Sequence, residues 1–283
     1  MTTTGIRAIR TVLYHGFVIA LGWLMIYPLA WTLSSSLKPE NEIFGNAVSL
    51  IPSRLFWENY ALGWAGFGNY GFDRFFVNTM VITLLVLIGT LFSTALVAFG
   101  FARVQFAARK FWFVCLLATI MLPAQVTLIP QYILFHQLGW VNTYLPLVVP
   151  AFIGGTPFFI FLVIQFIRGI PRELDQAAVI DGCGSFGIFW RIVLPLLRPA
   201  MATTAIFCFY WTWDDFMAPL IYLNDIRLFP VSLGLRMFAD PDSVSAWGPL
   251  FAMSTLSLLP QIVVFLFFQK HLVEGLATSG LKG

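Results

Sequence analysis

The chain has 283 residues, of which 59% are hydrophobic and only 10% charged, with a formal net charge of +3. Soluble domains carry about 25% charged residues, so the composition excludes an ordinary soluble domain, and the small charge excludes a nucleic-acid partner. The cysteines, Cys115 and Cys208 in apolar runs and Cys183 in a polar stretch, offer neither a disulfide framework nor the paired Cys/His spacing of a zinc site.

A bilayer core about 30 Å thick needs roughly 20 apolar residues in a helix. The runs 12–33, 76–100, 111–135, 145–167, 200–223 and 247–269 qualify. The expected fold is an all-α membrane protein, a single transmembrane domain over residues 1–283 with six spans. Lysine and arginine concentrate on the cytoplasmic side of such proteins. With the N-terminus inside, Arg7, Arg10, Arg103, Arg109, Lys110, Arg168, Arg172, Arg191, Arg198, Lys270 and Lys282 fall in inner segments. Only Lys38, Arg54, Arg74, Arg227 and Arg236 fall outside. Both termini and the 168–199 loop are therefore expected in the cytoplasm.

The first run follows Arg7 and Arg10, as a secretory signal would. It is longer than a signal's apolar region of about 7–15 residues and lacks a small-x-small cleavage site, so it reads as a retained span. Segment 34–75 contains Pro39 and Pro52 and reads as an outer connector on the membrane face or a ligand site. Its Trp57, Tyr60, Trp64 and Tyr70 suit the water–lipid boundary. The second span carries small residues at Thr90, Thr94, Ala98 and Ala102, a row that lets another helix approach closely.

The third span contains Pro123 and Pro130, and the fourth Pro146, Pro150 and Pro157 beside Gly154-Gly155. A proline inside a helix costs about 3 kcal/mol unless neighbours re-satisfy the freed carbonyl. Such broken helices suit a moving pathway. Gln125, Thr127 and Gln131 near the breaks either face that pathway or satisfy the broken backbone. The fifth span holds Trp211-Thr212-Trp213-Asp214-Asp215-Phe216. A carboxylate at the centre of a membrane helix costs roughly 2.5–3.5 kcal/mol on insertion scales, so these should face protein or water. Aromatic rings beside carboxylates suit a sugar, since rings stack on its C–H faces while carboxylates accept from hydroxyls. They equally suit an interfacial belt with a structural aspartate.

The longest polar break on the expected cytoplasmic side is 170–199, IPRELDQAAVIDGCGSFGIFWRIVLPLLRP. Pro171 suits a first helical turn, and Glu173 and Asp175 suit the positive end of the helix dipole. Leu174, Ala177 and Ala178 form an apolar stripe, and Gly182-Cys183-Gly184 ends the helix. Ser185 is a candidate N-cap for a second helix whose Phe186, Phe189, Trp190 and Val193 share a face. Pro195 and Pro199 are expected to end it. Two short helices joined by a glycine turn make a shape that a partner protein can grip.

This loop resembles the EAA-x3-G-x9-I-x-LP loop of the membrane subunits of ABC importers. Gln176-Ala177-Ala178, Asp181-Gly182, Ile192, Leu194 and Pro195 keep the family's spacing, with Gln176 where the family has glutamate. SLKPENEIF, ENY and the final GLKG are similar to stretches of the carbohydrate branch, of the maltose or multiple-sugar type. The resemblance implies a permease subunit forming half of a sugar pathway by alternating access in the plasma (inner) membrane. It implies a second, maltose-type permease subunit, an ATP-binding cassette ATPase dimer and an extracytoplasmic sugar-binding protein as partners. Glu173, Asp175, Gln176, Ala177, Ala178, Asp181, Gly182, Phe186, Phe189, Ile192, Leu194 and Pro195 would receive the ATPase. Gln125, Gln131, Trp211, Trp213, Asp214 and Asp215 are the candidate pathway residues. Gly275, Gly280 and Lys282 of the tail would touch the ATPase, and segment 224–246 would meet the binding protein or serve as a connector.

None of Lys38, Lys110, Lys270 and Lys282 precedes Ser or Thr, so the chain has no GxxxxGK[ST] loop to cradle ATP phosphates. His15, His136 and His271 are dispersed. No enzyme site, metal site or bound cofactor is expected, ATP and magnesium being used by the partner ATPase. The alternatives are an ABC permease for another polar solute, such as a phosphorylated polyol, and a stand-alone secondary transporter.

Overall fold

The computed structural model describes residues 3–239 and 246–280, which are mostly helical and, among the described residues, contain no strand. The chain opens with α1 (Thr3–Ser35), followed by the short α2 (Glu40–Gly45) and α3 (Glu58–Ala65). Next come α4 (Phe72–Arg103), α5 (Arg109–Met121), α6 (Ala124–Gln137), α7 (Leu145–Phe152) and α8 (Pro157–Arg168). α9 (Glu173–Ile180) and α10 (Ser185–Ile188) lead into a π turn at Phe189–Val193 and α11 (Leu194–Leu196). α12 (Arg198–Trp213), α13 (Met217–Tyr222), a 3-10 turn at Ile226–Leu228, α14 (Val231–Phe238) and α15 (Trp247–Gly280) complete the order.

Four stretches are long and apolar enough to cross a membrane: Arg10–Ser35, Phe72–Arg103, Leu145–Arg168 and Trp247–Gln269. Two bent pairs, Arg109–Met121 with Gln125–Gln137 and Ser185–Leu196 with Arg198–Trp213, raise the number to six if each is one span. The expected 200–223 span runs over α12 and α13. The loop's second helix ends between the two prolines, at Leu196, and Pro195 and Pro199 lie in the first turns of α11 and α12. A 72° bend at Leu197 separates Ser185–Leu196 from α12, which runs on to Trp213. α12 stops at Asp214-Asp215, because carboxylates oppose the negative end of a helix.

The chain divides into two compact units. The first comprises Met1–Phe72 and Gly234–Leu259. Its order is set where α1 ends. Trp31 Nε1 donates to the Ala47 carbonyl at 2.8 Å and Ser34 Oγ to that of Leu50 at 2.6 Å. The fully buried Lys38 donates Nζ to the carbonyls of Asn46 (3.2 Å) and Ser49 (2.6 Å). A buried ammonium is costly unless its donors are satisfied, so the 46–50 backbone wraps over it. Buried Asn59 ties down the same turn by donating to the carbonyls of Ser36 and Lys38. The Glu40 carboxylate accepts from the N–H groups of Trp247 (2.9 Å) and Gly248 (3.0 Å). Those are orphan donors at the start of α15, where the dipole also favours an anion.

The second unit comprises Asp73–Leu233 and Pro260–Gly283. The row Thr90, Thr94, Ala98 and Ala102 on α4 is buried throughout, as its close-packing pattern requires. Ala98 and Ala102 join Phe99, Val163, Ile164 and Ile167 in a core that also takes in Ala178, Ile188, Phe189, Val193 and Leu197. The 170–199 stretch is therefore part of the core. α7 and α8 are separated by a break in which Gly154 has φ +86°. Two donors serve the carbonyls left free at the end of α7: Gly155 N–H reaches Pro150 O at 2.8 Å, and Ser93 Oγ of α4 reaches Ala151 O at 2.7 Å.

Candidate functional site

α9 begins at Glu173 after Arg172, so Pro171 lies before the helix, not in its first turn. Glu173 and Asp175 do occupy that first turn. The helix ends on a Schellman motif: Cys183 N–H donates to Ala178 O (2.8 Å), Gly182 N–H to Val179 O (3.0 Å), and Gly182 has φ +82°. Glycine fits there because it has no Cβ to oppose the left-handed conformation. Of the expected stripe only Ala178 is buried, while Leu174 and Ala177 are exposed. Gly184, not Ser185, is the residue before α10 and serves as its cap position.

The second face also differs from expectation. The π turn at Phe189–Val193 widens the helix relative to the 3.6-residue period. It separates Phe189 and Val193, which are buried, from Phe186 and Trp190, which are exposed and touch each other at 6.0 Å between ring centroids. Phe189 packs on Phe99 of α4 at 5.2 Å. Ile192 and Leu194 are half-buried; Gln176, Asp181 and Pro195 are exposed. Large apolar side chains thus stand on the outer side of a loop whose inner side is core: Ile180 is 86% and Phe186 72% exposed, with Leu174, Val179 and Trp190 beside them in sequence.

The loop is joined to α4 by charge. Arg103, in the last turn of α4, places Nε 2.9 Å from Asp175 Oδ2, with side-chain exposures of only 6% and 18%. Arg103 Nη2 donates to the Ile170 carbonyl at 2.8 Å, and Arg172 Nη2 reaches the Ala102 carbonyl at 3.4 Å. Sequence reasoning used Arg103 only for orientation. Its signal was an arginine ending the small-residue span and an acid opening the next polar helix.

A cavity of about 640 Å³ lies within the second unit. Thr79, Ile82 and Val86 of α4, Gln131 of α6, Thr156, Trp211, Thr212 and Asp215 are among its walls. Trp211 stacks on Phe159 with centroids 5.0 Å apart and planes at 25°, and remains half exposed. Of the candidate pathway residues, the cavity gathers Gln131, Trp211 and Asp215. Gln125 is exposed elsewhere on α6. Trp213 is buried against Phe209, with centroids 5.4 Å apart. Asp214 accepts from Gln261 Nε2 of α15 at 2.5 Å. Asp215 borders the cavity while its Oδ1 accepts the Ala218 N–H of α13 at 3.2 Å. Both carboxylates thus have structural partners.

Beyond the cavity, Asn142 Oδ1 accepts the N–H groups of Asn224 and Asp225, each at 3.0 Å. Asp225 pairs with Arg227, whose side chain and N–H hold the Asp225 carboxyl below its ordinary range. Asn78 Nδ2 donates to the carbonyls of Arg227 and Phe229, each at 2.9 Å. Asp240 and Asp242 of the 224–246 segment lie outside the described residues, as does Lys282 of the tail. Gly275 and Gly280 belong to the end of α15.

The family described as binding-protein-dependent transport system inner membrane component matches residues 95–277, which include the loop, Arg103 and most of the cavity wall. The chain belongs to this family. This permease is 38% identical over 257 residues to the probable ABC transporter permease protein YurM of Bacillus subtilis (strain 168), covering 91% of this chain and 84% of that one. It is 33% identical over 269 residues to the arabinooligosaccharides transport system permease protein AraQ of the same organism, covering 94% of each. Its fold matches a chain of a bacterial ABC transporter involved in the import of the acidic polysaccharide alginate, with TM-score 0.81, 19% identity, and coverage of 95% and 98%. The expected ABC importer permease is thereby confirmed, and the chain is an integral membrane transport component.

Proposed function

We propose that this permease is one of two membrane subunits of an ATP-driven sugar importer in the plasma membrane, with six spans and both termini cytoplasmic. The observation that carries this reading is the loop 170–199, anchored in the core on one side and presenting Ile180, Phe186 and Trp190 outward on the other. An ATPase dimer that uses ATP and magnesium would dock there, since this chain has no phosphate-binding loop of its own. With Gln176 in the place of the family's glutamate, docking rests on shape and apolar contact. The tail residues Gly275, Gly280 and Lys282 would add a second contact with the ATPase. Segment 224–246 would meet an extracytoplasmic sugar-binding protein.

The cavity supports sugar as cargo. Trp211 offers a ring face to C–H groups, and Gln131, Thr156 and Thr212 offer amide and hydroxyl partners. Transport would proceed by alternating access, nucleotide and loaded binding protein each favouring one state through their different affinities for the two. Co-expression with the partner subunits tests the whole reading. A stable complex with an ATPase and ATP-dependent sugar uptake in vesicles is expected; ATP-independent uptake by the isolated chain would overturn it. Trp211→Ala tests the cavity, where altered competition among sugars is expected and unchanged competition removes its role.

A further inference from the structure

We propose that the Arg103–Asp175 pair is the joint through which movement of α9 is passed to α4. This rests on the docking of an ATPase at the loop. α9 offers little else for force to act through. Ala178 is its only buried residue, and a methyl group gives a sliding contact with no fixed direction. The ion pair, by contrast, is nearly shielded from water and is held from both ends. Arg103 also grips the Ile170 carbonyl, and Arg172 reaches back to the Ala102 carbonyl. The last turn of α4 and the entry to α9 are thus laced together reciprocally.

The helix ends reinforce this. Arg103 lies at the negative end of α4 and Asp175 at the positive end of α9, where each charge is favoured by its own helix dipole. Nearly buried ion pairs add little net stability, and their best-attested use is to fix registration between elements. Here the pair lacks linear hydrogen bonding, since Arg103 Nε and Asp175 Oδ1 have no hydrogen-bond partner among the described residues. That suits a contact that holds two elements in step without locking a single geometry.

α4 then carries the movement onward. The same helix bears Arg103 at one end and Thr79, Ile82 and Val86 on the cavity wall, with Val86 roughly 25 Å away at 1.5 Å per residue. Movement at the loop thereby reaches the cavity along one continuous helix.

The test uses the complete transporter in vesicles, reading sugar taken up per ATP hydrolysed alongside co-purification of the ATPase. Arg103→Gln, outside the docking loop, is expected to keep the ATPase bound and hydrolysing while uptake per ATP falls about five- to tenfold, and Asp175→Asn to lower uptake per ATP hydrolysed to the same degree. Asp175→Glu restores most of the ratio. The double variant loses no more than either single one, because the two residues act as a unit. An unchanged ratio in Asp175→Asn overturns the joint, as does additive loss in the double variant. Loss of the ATPase from a folded Arg103→Gln permease also overturns it, since the pair would then be shaping the docking face. Should Arg103→Gln fail to fold, Asp175→Asn against Asp175→Glu decides alone on uptake per ATP hydrolysed. The docking reading fails separately, if Ile180→Asp leaves ATPase binding untouched.

Discussion

Ser93 of α4 donates its hydroxyl to the carbonyl of Ala151 at the broken end of α7, 2.7 Å away. The break between α7 and α8 is therefore stabilised by another helix, as non-helical backbone at membrane depth requires. Ser93→Ala should lower stability by about 1 kcal/mol, the usual net worth of one such bond. Thermal unfolding of the purified complex in detergent measures it, and no change would mean that the carbonyl finds another donor.

Gly182 governs the shape of the docking loop. With φ at +82°, a β-branched residue there opposes the left-handed turn by about 1–2 kcal/mol. Gly182→Val should leave ATP hydrolysis running while uptake falls, and Gly182→Asn should be milder because asparagine tolerates this conformation. Equal behaviour of the two variants in vesicles would show that backbone freedom is not what the position supplies.

A different glycine limits packing in the first unit. A Cβ at Gly248 would overlap the amide of Asn59. That amide cannot step aside, being buried and bonded to two carbonyls. Gly248→Ala should destabilise the permease by about 1–3 kcal/mol, the range for overpacking. The melting temperature of the purified protein reports this directly.

The Asp225–Arg227 turn predicts an acid transition. The folded carboxyl is depressed, first by side-chain hydrogen bonds from Arg227, then by the Arg227 N–H and by the charges of Arg227 and Arg74. Its contribution is complete above the unfolded value near about pH 4 and is lost as pH falls through the lower folded value. The Arg227 amide, bonded to Asp225 Oδ1 at 2.9 Å, should keep constant protection against hydrogen exchange, corrected for intrinsic rate, from neutral pH down to that point. Asp225→Asn should lower the protection at neutral pH and abolish the acid step.

Much of this was written in short patterns. The row Thr90, Thr94, Ala98 and Ala102 foretold a buried face because small residues four apart stack on one side of a helix. Gly154-Gly155 and Gly182 foretold a break and a turn. The end of the fifth span was hidden because hydropathy is averaged over a window, and Asp214 and Asp215 vanish among their aromatic neighbours. Whether those carboxylates face a cargo or the fold depends on Gln261 and on the Ala218 N–H, and spacing cannot show the former. The separation of Phe186 from Phe189 follows from a π turn, which no apolar period announces. Arg103 and Asp175 lie far apart in the chain, so their meeting is a property of the core between them.

α1 has a last consequence. No residue in the membrane-crossing window of this helix is buried by its own chain, while its far end is fastened through Trp31, Ser34 and Lys38. Most of the large apolar side chains from Val12 to Leu29 are exposed, Tyr27 being half-buried. A labelled cysteine moved residue by residue along them would survey whatever adjoins the permease, lipid or protein, as a probe on a fixed mast.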